Sequence, residues 1–289
     1  MYMKVIFKVQ IAVIILLIIS SCSFNDLSVR LTSMFIEQRV ASLNRETDLS
    51  KARFLLSENI DQLALMIKQD KNNIHLHIYA AQAYYSYAFA FLEDVNNSRA
   101  LEFYVKSYQH ATQALALYGV SNAILVGRSS DLRQKIHSLP RHSVDALYWT
   151  ALSWAKLIEI RQPDMLLFSQ LPKTVVLMQQ VLKRDSSYHL GGAYLFFAVY
   201  YGGRSGFWGG DDVLSIEFFE FARSLNKNRL LLVDYLQAKY LDGRVNGENA
   251  KNRRLMKIIQ APEGLYPEQA LLNAIVRYKA SQLLSVTRT

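Results

Sequence analysis

The segment richest in residues that could bind a ligand lies between residues 191 and 211. Seven of the 12 glycines of the chain fall within 20 residues there, among aromatic side chains and next to Arg204. Glycines let a backbone approach a bound group, an arginine offers a planar fork of donors to a carboxylate, and Trp208 would pack on an apolar group. The same residues also suit a plain helix end, turn and helix start, with Asp211 as N-cap. Both interpretations stay open.

The ligand hypothesis gives each residue of this loop a role. Arg204 would hold the carboxylate, and the loop would open at Gly202, Gly203 or Gly210. The apolar body of the ligand is assigned to four aromatic residues: Tyr84, Tyr87, Tyr201 and Trp208. A nucleotide loop is excluded because no Gly-Lys-Ser/Thr ending occurs and no strand pattern precedes the glycines.

Other chemically active residues give little support to an enzyme. His75 and His77 are two residues apart, so on a helix their imidazoles point in different directions and cannot chelate one ion. Glu93 and Asp94 are interpreted as the polar end of a helix. No motif joins a nucleophile to a base. We therefore predict no catalysis, no cofactor and no metal site.

The N-terminus is typical of an exported lipoprotein. Lys4 and Lys8 precede an apolar run over residues 11–19, which is shorter than the ~20 residues of a membrane span. Ile19-Ser20-Ser21-Cys22 resembles the bacterial lipobox, so residues 1–21 are predicted to be a signal peptide and Cys22 the lipid attachment site. A plain secretory signal or an uncleaved anchor is the alternative.

This N-terminus also predicts location and charge. Several acyl chains on one cysteine anchor a protein stably. The residue after this cysteine is Ser23. Because Asp at that position would favour the inner membrane, Ser23 favours an outer-membrane anchor facing the periplasm. Removal of residues 1–21 takes away two lysines and no acid, which lowers the formal net charge from +9 to +7. That charge suits an anionic ligand, whereas an exported protein meets no nucleic acid routinely.

The rest of the chain is predicted to be helical. With 51% hydrophobic residues, 12 Gly and 5 Pro, it is a globular sequence with few helix breakers. Apolar residues recur every three or four positions over residues 74–91 and 101–115, which predicts a helical hairpin capped at Asn97 or Ser98. Further helices are predicted over residues 48–69, 143–160, 173–184, 188–201, 212–225, 229–242, 248–260 and 267–285.

Degenerate tetratricopeptide signatures occur within these helices. Their members are Trp149, Leu152 and Ser153; Gly191 and Tyr194; Ala100 and Tyr104; and Ser215, Phe219 and Ala222. The spacing is irregular, so the prediction is an all-α solenoid or bundle of helical hairpins. Residues 22–45 would form a lipid tether and first helix, and residues 46–289 one helical domain.

Three segments resemble the T-component family of TRAP (tripartite ATP-independent) transporters: residues 80–94, the loop from Tyr201 to Asp211, and residues 273–280. The resemblance extends from about residue 55 to residue 284, although Ser205 stands where the family commonly has proline. It implies an all-helical trimer with openings towards the protomer cores, partnership with the periplasmic solute-binding subunit, and carriage of small hydrophobic ligands without catalysis.

Two functional hypotheses follow. The chain is a lipoprotein accessory of a TRAP-type uptake system, which binds a hydrophobic or carboxylate-bearing ligand and the solute-binding subunit. Alternatively it is a tetratricopeptide-like scaffold for envelope proteins. Genes for a solute-binding protein and a TRAP permease beside its own would favour the accessory.

Overall fold

A computed structural model describes Met34, residues 36–161 and residues 164–286. The structure is 81% helical, and no strand occurs among these residues. The all-α prediction is therefore confirmed, whereas the repeat solenoid stays a prediction. Cys22 and the signal peptide lie outside the described residues.

The chain divides into two units, Met1–Asn44 and Arg45–Thr289. In the first unit, residues 36–43 form helix α1. The second unit contains α2 (Leu49–Gln69), α3 (Ile74–Phe91), α4 (Asn97–Leu117), α5 (Asn122–Val126), α6 (Ser129–His137), α7 (Val144–Ile160), α8 (Met165–Phe168), α9 (Leu171–Arg184), α10 (Tyr188–Gly202), α11 (Asp212–Leu225), α12 (Leu231–Gln237), α13 (Gly243–Val245), α14 (Glu248–Ile259) and α15 (Ala270–Val286).

Side-chain caps fix where several helices begin. Asp48 accepts from the backbone N–H groups of Ser50 and Lys51 at the start of α2, and Asn73 accepts from Leu76 in α3. Such caps satisfy N–H groups that have no partner within the helix. The cap of α4 is Asn96, which accepts from Arg99. The sequence prediction of Asn97 or Ser98 is wrong by one or two positions.

Serines tie consecutive helices together within the second unit. Ser107 on α4 donates to the carbonyl oxygen of Ala81 on α3 at 2.8 Å, and Ser215 on α11 donates to that of Ala198 on α10 at 2.8 Å. All four residues are buried. Small side chains at these positions let the paired helices approach closely.

One predicted helix is interrupted by a different backbone pattern. Residues 229–242 were expected to be regular, but α12 gives way to a π-helix over Ala238–Asp242 before α13. A π-turn inserts an extra residue into a helix and redirects the following side chains. Lys239 and Tyr240 lie in this turn. None of the described helices is long and apolar enough to cross a membrane.

Candidate functional site

In the glycine-rich loop, Arg204 is held by the loop's own backbone. Its Nε donates to the carbonyl oxygen of Tyr200 at 2.8 Å, and its Nη2 donates to that of Gly209 at 3.3 Å. The guanidinium carbon lies 3.6 Å from the centroid of the Tyr200 ring, a cation–π contact. Part of the donor fork is thus already used within the loop.

The other predicted loop residues shape a closed turn. Asp211 is the N-cap of α11, with its side chain accepting from the N–H of Leu214 at 3.0 Å, and its own N–H donates to the Tyr201 carbonyl at 3.2 Å. A Cβ on Gly202 would lie 2.4 Å from Ser215 Oγ, and one on Gly210 would lie 2.0 Å from the Arg204 carbonyl oxygen. These two glycines therefore permit close packing. Gly203 is the C-cap of α10.

The four aromatic residues of the ligand hypothesis are divided among different surroundings. Tyr84 stacks on His110 of α4 at 5.7 Å between centroids, and Tyr87 stacks on Phe103 of α4 at 5.1 Å. Tyr201 lies beside Phe218, and Trp208 meets Phe168 edge to face. Among the described contacts, none joins Tyr84 or Tyr87 to Arg204. The structure brings the loop residues together, whereas none of the described contacts of Tyr84 and Tyr87 is with the loop.

The two histidines near the start of α3 differ in their surroundings. His75 is exposed, whereas His77 is buried with its Nδ1 3.0 Å from Nδ1 of His110 and its Nε2 2.9 Å from the Lys71 carbonyl oxygen. Burial, together with His77 and Lys106, lowers the pKa of His110 to about 4. Within the described part of the chain, no three His, Cys, Asp or Glu residues are placed to hold a metal ion.

A buried carboxylate is the centre of an ionic cluster that sequence reasoning missed. Glu93 Oε1 lies 2.9 Å from Lys279 Nζ and 3.7 Å from Lys239 Nζ, while its Oε2 lies 3.1 Å from Lys156 Nζ and accepts from Tyr104 Oη at 2.6 Å. We define the ionic cluster by its charged members: Glu93, Asp94, Lys156, Glu159, Lys239 and Lys279. Only 7% of the Glu93 side chain is exposed. The interpretation of Glu93 as a simple polar helix end is therefore wrong.

Electrostatics explains how Glu93 stays charged in this position. Burial by itself raises the pKa of a carboxyl group, but Lys156, Lys239 and Lys279 outweigh it and hold the pKa of Glu93 well below its usual range. On the closed side of the cluster, Lys279 is satisfied by Glu93, by Asp94 and by the Phe89 carbonyl oxygen.

The other side of the ionic cluster is open. The Lys239 side chain is 26% exposed, and its ammonium makes a 3.7 Å ion pair with Glu93. It also lies 5.4 Å from the centroid of the Tyr240 ring and 5.9 Å from that of Tyr235. The Glu159 side chain is 40% exposed, with Oε1 accepting from Tyr240 Oη at 2.6 Å and Oε2 lying 3.0 Å from Lys156 Nζ. Burial and then Lys156 lower the pKa of Lys239. Lys239 and Glu159 are thus the charged groups that this side of the ionic cluster exposes.

An aromatic cluster lies at the start of α10. The His189 ring is 5.0 Å from that of Trp149 and 5.3 Å from that of Tyr148. Part of the His189 side chain reaches the surface, whereas Trp149 and Tyr148 are buried in the core, and packing on these rings lowers the pKa of His189 to about 4. Tyr188 completes the aromatic cluster, with its ring 5.2 Å from that of Tyr148.

Unusual backbone geometry positions His189. His189, Leu190 and Gly191 have φ of 48°, 62° and 78°, in the left-handed region that costs non-glycine residues about 1 kcal/mol or more each. The buried Asn226 stabilises this turn by donating from Nδ2 to the Leu190 carbonyl oxygen at 2.8 Å. The sequence predicted a regular helix here, and the structure corrects that prediction.

Tyr85 connects the aromatic cluster to the ionic cluster inside the core. Its ring lies 5.8 Å from that of Trp149 and 5.0 Å from that of Tyr104, which binds Glu93. The glycine-rich loop lies against the ionic cluster from outside, because a Cβ on Gly203 would be 3.4 Å from Cδ1 of Tyr240. We call the open side of the ionic cluster together with this loop the polar-aromatic seam.

The helix arrangement and this seam define an all-helical protein in which charged and aromatic groups meet at an accessible surface. The sequence model of the TRAP transporter T-component family matches residues 45–289. The chain therefore belongs to the TRAP transporter T-component family. This family comprises periplasm-associated transporter accessories and is not a known enzyme family. Among curated proteins, no match to the chain is found.

Proposed function

We propose that this protein is a lipid-anchored accessory of a TRAP-type uptake system, facing the periplasm, that holds a small ligand and contacts the solute-binding subunit. Family membership over residues 45–289 carries the accessory role. The sequence around Cys22 supports the anchor, with residues 22–45 as the tether and first helix and residues 46–289 as the helical domain. A homotrimer and an outer-membrane location remain part of the proposal.

The polar-aromatic seam supports ligand binding. Trp208 of the loop, which is 54% exposed, offers a ring to an apolar body, and an apolar ligand on such a ring is stabilised by the surface it removes from water. Lys239 offers donors to a carboxylate at the other end. The protein would act by sequestration, because these groups bind and orient a ligand without a nucleophile to attack it.

The glycine-rich loop would control access to this ligand. Gly203 packs against Tyr240, whose hydroxyl binds Glu159, so the loop lies against the open side of the ionic cluster. Opening the loop would break the bonds from Arg204 to Tyr200 and Gly209. Tyr201 and Trp208 would follow the loop as it moves.

A scaffold role is the second candidate, and one surface favours it. Four apolar side chains are exposed on α8 and on the turn over Gly206–Trp208, namely Met165, Leu166, Phe207 and Trp208, with Phe207 88% exposed. Contiguous exposed apolar surface marks interaction sites. The same surface is available to the solute-binding subunit under the accessory proposal.

Calorimetry with the solute-binding subunit of the same transporter tests the proposal. The full chain in detergent is titrated with that subunit, first without and then with the subunit's own ligand. We expect a complex with a dissociation constant of about 1 to 100 µM, typical of a transient partnership, and a different affinity when ligand is present. No heat of binding in either titration would contradict the accessory role and favour the scaffold.

A further inference from the structure

We propose that a groove beside α14 binds an anionic amphiphile, a small molecule with one carboxylate and an apolar chain of medium length. This α14 groove lies between α14 and the helices α11 and α12, and its volume is about 960 Å³. Small-molecule sites in proteins measure about 300 to 1,000 Å³ and often lie between helices. None of its lining residues belongs to the polar-aromatic seam, so the site is independent of the one in the proposed function.

The two ends of the α14 groove differ in polarity. At one end, Arg254 of α14 binds Asp234 of α12 at 2.8 Å. From Arg254 to the C-terminus of α14 the helix axis rises by about 8 Å. The chain that follows lines the other end with three residues that are at least partly exposed, Ala261, Pro262 and Leu265. A ligand with one charged end and one apolar end matches this polarity.

Arg254 is a fixed donor at the charged end. Its Nε donates to Asp242 Oδ2 at 2.6 Å and its Nη1 donates to Asp234 Oδ1 at 2.8 Å, whereas its Nη2 has no partner among the described contacts. The same oxygen of Asp234 also accepts from Arg223 at 2.6 Å. A guanidinium that is already held in place loses little freedom when it binds a carboxylate. We therefore assign the ligand carboxylate to Arg254.

Two further cations lie at the edge of the α14 groove. Arg253 and Lys257 are four residues apart, so their side chains are neighbours on one face of the helix. Both are exposed and both line the groove. Neither has an ion pair among the described contacts. They can therefore add bonds to a ligand carboxylate without breaking existing ones.

Charge balance favours a monoanion over a cation. Four cations line the α14 groove: Arg223, Arg253, Arg254 and Lys257. Three carboxylates pair with these arginines: Glu220, Asp234 and Asp242. One positive charge is thus in excess. A single ligand carboxylate neutralises it, whereas a cationic ligand would add to it.

The apolar end of the groove accounts for the chain of the ligand. Met256 is 36% exposed and lines the groove with Pro262 and Leu265, above the buried Leu231 and Ile258. Each methylene group that a ligand buries on these side chains strengthens binding by up to ~4-fold. A carboxylate with a very short chain would therefore bind weakly.

Three probes test the class of ligand: octanoate, butanoate and octylammonium. Each is titrated by calorimetry into the full chain in non-ionic detergent. We expect octanoate to bind with a dissociation constant of about 10 µM to 1 mM, butanoate to bind at least ~10-fold more weakly, and octylammonium to bind ~10-fold more weakly. Octylammonium binding as tightly as octanoate would overturn the proposal, and so would the absence of octanoate binding at about 10 mM.

Variants locate the bound probe. The double variant Arg253→Gln/Lys257→Gln should weaken octanoate ~10-fold without weakening octylammonium, and Met256→Gln should weaken octanoate ~3-fold. Uptake of a probe by the micelles is the same for every variant, so it cancels in these ratios. The matched controls are at exposed positions on α4, α9 and α2 and should change nothing: Arg99→Gln/Lys183→Gln for the charges and Leu65→Gln for the apolar residue.

Unchanged octanoate affinity in the double variant would overturn the assignment to the α14 groove and would place the binding elsewhere, for example at the polar-aromatic seam. Failure of the α14 groove to bind octanoate leaves the accessory role intact, because that role is tested separately by the titration with the solute-binding subunit.

Discussion

Two helical hairpins of this protein, α3 with α4 and α10 with α11, are packed alike but differ in the turns that join their helices. In each, a buried serine on the second helix donates to a carbonyl oxygen on the first, at 2.8 Å in both cases. In each, the first helix is rich in aromatic residues. The helices of the two hairpins therefore pack in the same way, and the hairpins differ in their turns.

The turns take their partners from different distances along the chain. Glu93, in the first turn, is paired with Lys156, Lys239 and Lys279, the last of which lies 186 residues away. Arg204, in the second turn, binds backbone groups four and five residues away. The second turn has distant partners only at its ends and on its outer face, where Arg244 binds the Gly202 carbonyl oxygen and Asp212 and where Trp208 meets Phe168. The first turn is thus fixed by buried ion pairs with three other elements, and the comparison teaches that the second turn can move at a lower cost.

The largest expected effect comes from breaking the first turn. Glu93→Gln keeps the shape of the side chain but leaves three lysines facing a neutral amide, so we expect a loss of ~3 to 5 kcal/mol in the free energy of unfolding. Chemical denaturation measures it, with Glu102→Gln as an exposed control. A loss below about 1 kcal/mol would show that the first turn is no more integrated than the second.

The same carboxylate predicts a pH dependence. The pKa of Glu93 in the folded protein is held below the 4.5 of a free carboxyl, so its contribution to stability is complete above pH 4.5 and is lost as the pH falls further. The Glu93→Gln variant should lack this part of the acid sensitivity. Equal slopes of stability against pH below 4.5 in both proteins would contradict the assignment.

The shared packing of the hairpins gives the next effect. Ser107→Ala and Ser215→Ala each remove one buried bond between helices, and we expect similar losses of ~1 to 2 kcal/mol. Ser153→Ala is the matched control, because Ser153 is equally buried but bonds to Trp149 in its own helix. Unequal losses at Ser107 and Ser215 would break the parallel between the hairpins.

A smaller effect is expected in the first hairpin at mildly acidic pH. Burial lowers the pKa of His110 to about 4 from 6.5, so the unfolded chain binds a proton between these values that the folded protein does not. Stability therefore falls as the pH decreases from 6.5 to 4. Because His110 is only partly buried, solvent screening reduces this linkage, and we expect His110→Gln to remove about 1 kcal/mol of the decrease, measured against exposed His75→Gln. An unchanged decrease would mean that His110 titrates normally.

The positions of the longer helices could be predicted from the sequence because they depend on local pattern, whereas the short helices α5, α6 and α8 were not predicted. The windows 143–160 and 212–225 match α7 and α11 to within one residue. The π-turn over Ala238–Asp242 and the left-handed turn at His189 could not be predicted, since tertiary packing imposes both. Asn226 holds the turn at His189 from another helix.

The candidate site was harder to predict for the same reason. The glycine-rich loop is conspicuous in sequence, but its arginine turns out to bind its own backbone. The ionic cluster is assembled from the turn after α3, α7, the π-turn and α15, and nothing local relates Glu93 to Lys279. One signal was available: Lys156 and Glu159 are charges three residues apart within the otherwise apolar C-terminal half of α7, which indicates a buried pair.

The smallest effect on stability is expected at Arg204, and it tests whether the second turn is a separate, movable part. Arg204→Ala removes one part-buried and one exposed bond to backbone, together with the contact with the Tyr200 ring, so we expect a loss of only ~0.5 to 1 kcal/mol in the free energy of unfolding. Arg253→Ala, at an exposed position on α14, is the control. A loss as large as that of Glu93→Gln would mean that the loop is integrated into the domain, and the comparison between the turns would fail.

Binding measurements on the same variants separate a gate from a ligand contact. If Arg204 only closes the loop, Arg204→Ala should speed both association and dissociation of a bound ligand and leave its affinity nearly unchanged, because both states lose the same contacts. If Arg204 instead holds a ligand carboxylate, affinity should fall by ~2 to 4 kcal/mol, and Arg204→Lys should recover only part of it, since an ammonium cannot reproduce the planar fork. The self-contained bonding of Arg204 leads us to expect the first result.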